Sequence, residues 1–188
     1  MILNNENKQA SHYLNKFAQL IRITLNQSSK PFVSLENTID YLQRYLEMEK
    51  IRASNFTHTI EVDESLVLNE IMLPPMLIQP FIENAIWHGV NSLDQSLKID
   101  IRFQKDDQQL LCVIEDDGIG IERSLKQKEA QLGHQSVGIE NIKQRIRVLN
   151  EKYNLQSTIS IEDKSDLIPQ NGTGTIVKLR LPIKNAIV

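Results

Sequence analysis

Residues 96–116 hold two runs, SLKIDIRFQ and QLLCVIED, in which apolar residues recur at alternate positions, separated by the polar tetrapeptide KDDQ. A period of two is the period of a β-strand, and so short a polar link between two such runs predicts a hairpin. An isolated hairpin cannot bury its apolar face, so this one demands further strands and a covering layer. Both are present. FTHTIEVD (56–63), STISIED (157–163) and GTIVKLRLPI (174–183) read as strands, and four segments carry the spacing of amphipathic helices. The order helix, helix, strand, helix, strand, strand, loop, helix, strand, strand predicts an α+β sandwich: a mixed or antiparallel sheet with helices on one face.

The first helix carries Tyr13, Leu14, Phe17, Leu20, Ile21 and Leu25 on one stripe and breaks at NQSSKP, where Pro31 disfavours helix in the residue before it. Ser34 suits an N-cap with Glu36 in the first turn, and a second helix follows to about residue 53. A third element starts at LPP (73–75), with Pro75 placed in a first helical turn. The fourth helix is IENIKQRIRVLNEKY (139–153). The first two helices read as an appendage, dividing the chain into a helical region, 1–53, and a second domain, 54–188.

Composition narrows the function. Among 188 residues the formal net charge is −3, which gives no reason to expect a nucleic-acid partner. The single cysteine, Cys112, lies between Leu111 and Val113 and reads as a buried structural thiol, which fits a reducing compartment. The start has neither a basic nor an apolar signal region, and no run reaches the length of a membrane span. The expectation is a soluble cytoplasmic chain, or the soluble part of something longer.

Four stretches carry chemistry. PFIENAIWHGV (80–90) is an apolar helix interrupted by Glu83, Asn84 and His88, of which Asn84 and His88 share a face at i, i+4. In VIEDDGIGI (113–121) a strand runs into Asp116-Asp117-Gly118-Ile119-Gly120. An acid there repels phosphate but accepts from a neutral donor such as the exocyclic amine of a base; a "DG" hairpin turn is the alternative. In GHQSVGIENIKQRI (133–146), Gly138 sits where a loop enters a helix, either as a phosphate-binding N-terminus or as a plain connector. NGTGTIVKLRLP (171–182) opens the last strand with a Gly-Thr pair.

In this order the stretches resemble the N, G1, G2 and Gly-Thr boxes of the GHKL ATP-binding fold, shared by histidine kinases, gyrase-type ATPases, Hsp90 and MutL. LPPMLIQPFIENAIWHGV (73–90) is similar to the signature of LytS/YehU-type sensor histidine kinases, and the upstream segment from Tyr13 to Arg52 resembles the helical region that follows their phosphoacceptor box. The likeness covers roughly residues 8–183. It implies that Asn84 offers its amide oxygen to Mg²⁺ bridging the ATP phosphates, a neutral oxygen ligand suited to a hard cation. It leaves Glu83 either orienting a metal-bound water or facing solvent, and His88 either donating to a phosphate or capping the helix. By the same resemblance Asp116 accepts from the adenine amine, Gly118 and Gly120 shape the pocket floor, residues 121–137 form a mobile lid, Gly138 lets a helix N-terminus meet the phosphates, and Thr175 supports Asp116. It further implies a homodimer through the N-terminal helices and a LytTR-type response regulator as partner.

Three departures stand out. Trp87 occupies a position where relatives often carry lysine, leaving Lys143, Arg145, Lys126 or Lys128 to supply a cation. Within the G2 region, SVGIENI (136–142) holds one glycine where many relatives have two or three. The acceptor motif of the N-P-H-F-x-F-N kind is missing around His12, His58, His88 and His134. The chain therefore reads as the ATP-binding catalytic part of a sensor kinase whose acceptor histidine and membrane spans lie upstream, so that alone it binds ATP without phosphorylating itself. A hydrolytic GHKL ATPase is the alternative, but the general-base glutamate of that group falls here on Pro80, which cannot activate water. A non-enzymatic ATP-binding regulator is the second alternative.

Overall fold

The computed structural model describes residues 2–90, 96–120, 137–167 and 172–183. Five strands form one mixed sheet in the order β2-β4-β5-β7-β6: β2 (Phe56–Val62), β4 (Leu97–Asp106), β5 (Gln109–Asp116), β6 (Thr158–Asp163) and β7 (Thr175–Pro182). β2 runs parallel to β4, and the other neighbours are antiparallel. The hairpin expected around KDDQ is the β4–β5 pair, turned at Asp107, whose φ of 54° lies in the left-handed region that aspartate tolerates.

The sheet has two unlike faces. One buries Leu97, Ile99, Ile101 and Phe103 of β4 with Leu110, Cys112 and Ile114 of β5 and Val177, Leu179 and Leu181 of β7. Burial pushes the Cys112 thiol far above its ordinary range, as expected of a structural cysteine. The other face is laced with ion pairs, including Lys98–Asp100 at 2.7 Å, Arg102–Glu115 at 2.7 Å and Lys178–Glu162 at 3.0 Å. Helices cover only the apolar face. α3 (Gln79–Val90) lies over β4 and β5 through Phe81, Ile82, Ala85 and Ile86, and α4 (Val137–Tyr153) joins the same core through Ile142 and Ile146.

α3 begins later than its sequence suggests. Leu73 and Pro74 each precede a proline and are driven from helical geometry, and Met76 turns the chain with a φ of 56°. The helix opens at Gln79, and Pro80 stands in its first turn, where a missing N–H costs nothing. The residues before it form β3 (Met72–Leu73), which pairs with β1 (Val33–Ser34).

The two N-terminal helices differ from each other. α2 (Leu35–Arg52) is capped by Ser34, whose side chain accepts from the Asn37 N–H, and it buries Leu35, Ile39, Leu42 and Leu46 in the same cluster as the sheet. The Leu35 N–H also donates to the Ile71 carbonyl at 2.7 Å. One hydrophobic cluster thus runs across the sequence boundary expected at residue 53. α1 (Ile2–Ser28) packs on α2 but leaves Leu14, Phe17, Ile21 and Leu25 exposed, Leu14 and Leu25 at 63% and 66%. Among the described residues, no helix is long and apolar enough to cross a membrane.

Candidate functional site

Asp116 ends β5 inside the protein, 9% exposed. Its Oδ1 accepts two backbone N–H groups, from Gly118 at 2.9 Å and from Thr175 at 3.3 Å. Burial nevertheless dominates: it raises the carboxyl to about 6, against the lowering effects of those two hydrogen bonds and of nearby Lys164. An acid held this way gains from any neutral donor brought to it, because such a donor offsets the desolvation of its charged form.

The surrounding backbone approaches too closely for side chains. Gly174 has a φ of +139°, and a Cβ there would sit 2.0 Å from the Asp116 carbonyl oxygen. Gly120 has a φ of +84°, and a Cβ there would meet Asp163 Oδ2 at 2.4 Å. Asp117 fixes the strand end from outside, its Oδ1 accepting from the Lys98 N–H at 2.6 Å. The chain after Asp116 therefore makes no hairpin: β5 pairs with β4 and β7, and Asp117-Gly118 leaves the sheet.

The helix over this strand carries the second half of the candidate site. With Phe81, Ile82, Ala85 and Ile86 turned to the core, Asn84 is half-buried and Glu83 exposed. Among the described residues the Asn84 amide meets no hydrogen-bond partner. Glu83 Oε1 accepts from Gln79 Nε2 at 2.6 Å, and Gln79 Oε1 accepts from the hydroxyl of Tyr41 in α2. Burial raises the Tyr41 hydroxyl above its ordinary value and keeps it a donor. Trp87 is 58% exposed, one helical turn beyond Asn84.

The sequence-predicted residues thus divide. Asp116, Gly118, Gly120 and Thr175 come together at one end of the sheet. Asn84 and Glu83 lie on the helix above it. Gly138 falls in the first turn of α4. The side chain of His88, the cations Lys126 and Lys128, and residues 121–136 of the expected lid lie outside the described residues. Arg145 does not serve the site as a free cation: it donates to the Pro75 carbonyl at 2.6 Å and half-buries itself against that loop.

Sequence reasoning missed Asp163 and Lys164, and it named Gly174 only within the Gly-Thr pair that opens β7. The signal lay in the pairing of the last two strands, which sets Asp163 opposite Thr175. Asp163 is buried and accepts from both the N–H and the hydroxyl of Ser165.

The donor set, a buried acid fixed by backbone and a cradle that no Cβ could enter, fits a planar base carrying an amine. The half-buried carboxamide of Asn84, on the helix that packs over β4 and β5, has the chemistry of a neutral oxygen ligand to a hard metal ion.

This architecture is that of the histidine kinase catalytic domain. The catalytic domain of histidine kinase ThkA superposes with a TM-score of 0.54 at 18% identity, covering 81% of this chain and 95% of that one. The histidine kinase domain of the blue-light activated kinase EL346 from Erythrobacter litoralis gives 0.54 at 16% identity, covering 97% and 82%. Sequence then narrows the class. A family model described as histidine kinase matches residues 1–56. Sensor protein LytS of Oceanobacillus iheyensis is 30% identical over 186 residues, 98% of this chain and 31% of the relative. Sensor histidine kinase BtsS of Escherichia coli K12 is 30% identical over 117 residues, 61% of this chain and 20% of the relative. By sequence the chain is therefore similar to the LytS-type sensor histidine kinases. It spans under a third of either sensor protein.

Proposed function

We propose that this chain binds ATP with Mg²⁺ as the catalytic part of a two-component sensor histidine kinase, and that the γ-phosphoryl group passes to a histidine on a segment outside it. The observation that carries this reading is Asp116, a carboxylate buried at a strand end and fixed by two backbone donors. Asp116 would accept from the adenine amine, where guanine presents a carbonyl and is repelled. Thr175 and Gly118 orient that carboxylate through their N–H groups, and Gly120 and Gly174 keep the floor open. Asn84 would hold Mg²⁺, which supplies charge neutralisation for phosphoryl transfer when bound. Glu83 is engaged by Gln79, which suits orienting a water beside the metal as well as facing solvent. By the family resemblance, His88 would donate to a phosphate or cap the helix, and Gly138 would let the α4 N-terminus meet the phosphates.

Calorimetry with ATP and GTP, with and without Mg²⁺, tests this. The expected result is Mg²⁺-dependent ATP binding with GTP much weaker. Equal binding of both nucleotides, or none, would overturn it.

On this reading residues 1–53 serve dimerisation and 54–188 catalysis. The exposed stripe of α1 supports a homodimer, since contiguous apolar surface of this kind marks interfaces. Phe17→Glu should convert a dimer to a monomer in light scattering without loss of nucleotide binding, and a wild-type monomer at high concentration would exclude the α1 interface. A LytTR-type response regulator as the receiver, and a membrane-bound sensor as the whole protein with this part in the cytoplasm, complete the proposal. The ThkA structure in complex with its response regulator TrrA, similar here in fold alone, is the precedent for such a partner.

A further inference from the structure

The first residues of the link between β6 and β7 close around Asp116. They form α5 (Lys164–Leu167), a single turn. The Lys164 N–H donates to the Gly174 carbonyl at 2.9 Å, which ties the link to the glycine that lies against Asp116. The Lys164 side chain reaches back across the sheet end. Its Nζ donates to the Asp116 carbonyl oxygen at 3.2 Å and pairs with Glu115 Oε1 at 2.7 Å.

Glu115 does not need this cation for neutralisation, because Arg102 already occupies its other oxygen at 2.7 Å. What Lys164 alone supplies is a positive charge beside the backbone of Asp116, in a side chain only 20% exposed. Among the described residues, the charges that act on that carboxylate are Lys164 and Asp117; Glu115, shared with Arg102, precedes it, and Asp163 lies across the β6–β7 pair under Gly120.

We propose that Lys164 is a positioning residue for base recognition: anchored on Glu115, it clamps the strand end that bears Asp116 and favours the ionised acceptor. The proposal rests on the reading of Asp116 as the base-recognising acid. Lys164 does not touch the nucleotide; it acts through Asp116. In keeping with this, Lys164 is among the groups that lower the Asp116 carboxyl against the effect of burial.

The test follows the Asp116 carboxyl by carbon-detected NMR across pH in the nucleotide-free chain, and ATP and GTP affinity by calorimetry. Lys164→Met should move the Asp116 midpoint upward and reduce the preference for ATP over GTP by roughly fivefold or more, while Lys164→Arg keeps both near wild type. If Lys164→Met fails to fold, Lys164→Gln keeps a donor to the carbonyl without the charge and should give the same upward shift. An unmoved Asp116 midpoint in a folded, uncharged variant overturns the clamp. If the midpoint shifts but the wild-type chain binds no ATP, base recognition fails as the function, and the clamp fails with it as a device for that purpose. A shifted midpoint with an unchanged ATP preference overturns the positioning role while leaving nucleotide binding intact.

Discussion

The two ends of the candidate site are built to opposite standards. At the base end, Asp116 is held by Gly118 and Thr175, braced from behind by Lys164, and bordered by two glycines with no room for a methyl group. At the phosphate end, Asn84 is half-buried with no described partner, Glu83 is exposed, and Trp87 stands 58% in solvent. On the proposed reading, base recognition would be preformed in the fold. The phosphate end consists of side chains whose geometry a ligand and a metal would complete. Preorganisation of this kind places specificity in the rigid half and leaves the half that must respond to chemistry adjustable.

The contrast yields three measurements, in order of effect. Gly174→Val should be the most damaging single change. It forces a β-branched residue to a φ of +139° and drives a Cβ to 2.0 Å from the Asp116 carbonyl, so a loss of about 4 kcal/mol or more is expected in denaturant unfolding. A variant folded as stably as wild type would mean the base end is not the rigid half.

Asp116→Asn comes second and separates stability from function. The folded carboxyl is raised to about 6 from 3.8, so between those values the folded chain keeps a proton that the unfolded chain has lost. Stability contributed by this group therefore falls as pH rises through that window, reaching a deficit on the order of 3 kcal/mol above it. The asparagine variant, which can accept from the same two N–H groups, should melt several degrees higher than wild type at pH 7.5 and no higher at pH 4. It should also lose its preference for ATP over GTP. An unchanged melting temperature at pH 7.5 would show that the buried charge carries no cost. In the wild type, ATP affinity should weaken as pH drops through about 6, where the acceptor loses its charge.

Asn84→Ala should have the smallest effect on stability, within about 0.5 kcal/mol, because no described contact is lost. Its whole effect should fall on Mg²⁺-dependent nucleotide binding. A large loss of stability, or equal affinity for Mg·ATP, would blur the distinction between the two ends.

Much of this was legible beforehand, for identifiable reasons. Strand periodicity gave β2, the β4–β5 hairpin and the last two strands, and the Ser34 cap gave the start of α2. Asn84 stood out because it interrupts an apolar helix, and Asp116 because it ends a strand that runs into Gly118 and Gly120. The start of α3 was misplaced because two consecutive prolines read as a helix opening when they terminate a strand instead. β1 and β3 were too short, at two residues each, to leave a period. Lys164 and Asp163 were invisible for a different reason. Their role depends on register between β6 and β7, which brings residues from separate segments opposite each other and leaves no local mark.

The β1–β3 pairing has a mechanical consequence. By fastening the entry of α2 to the strand before α3, it denies α2 a hinge of its own. A torque arriving along α1 cannot swivel α2 against the catalytic layer without breaking that latch and opening the shared core.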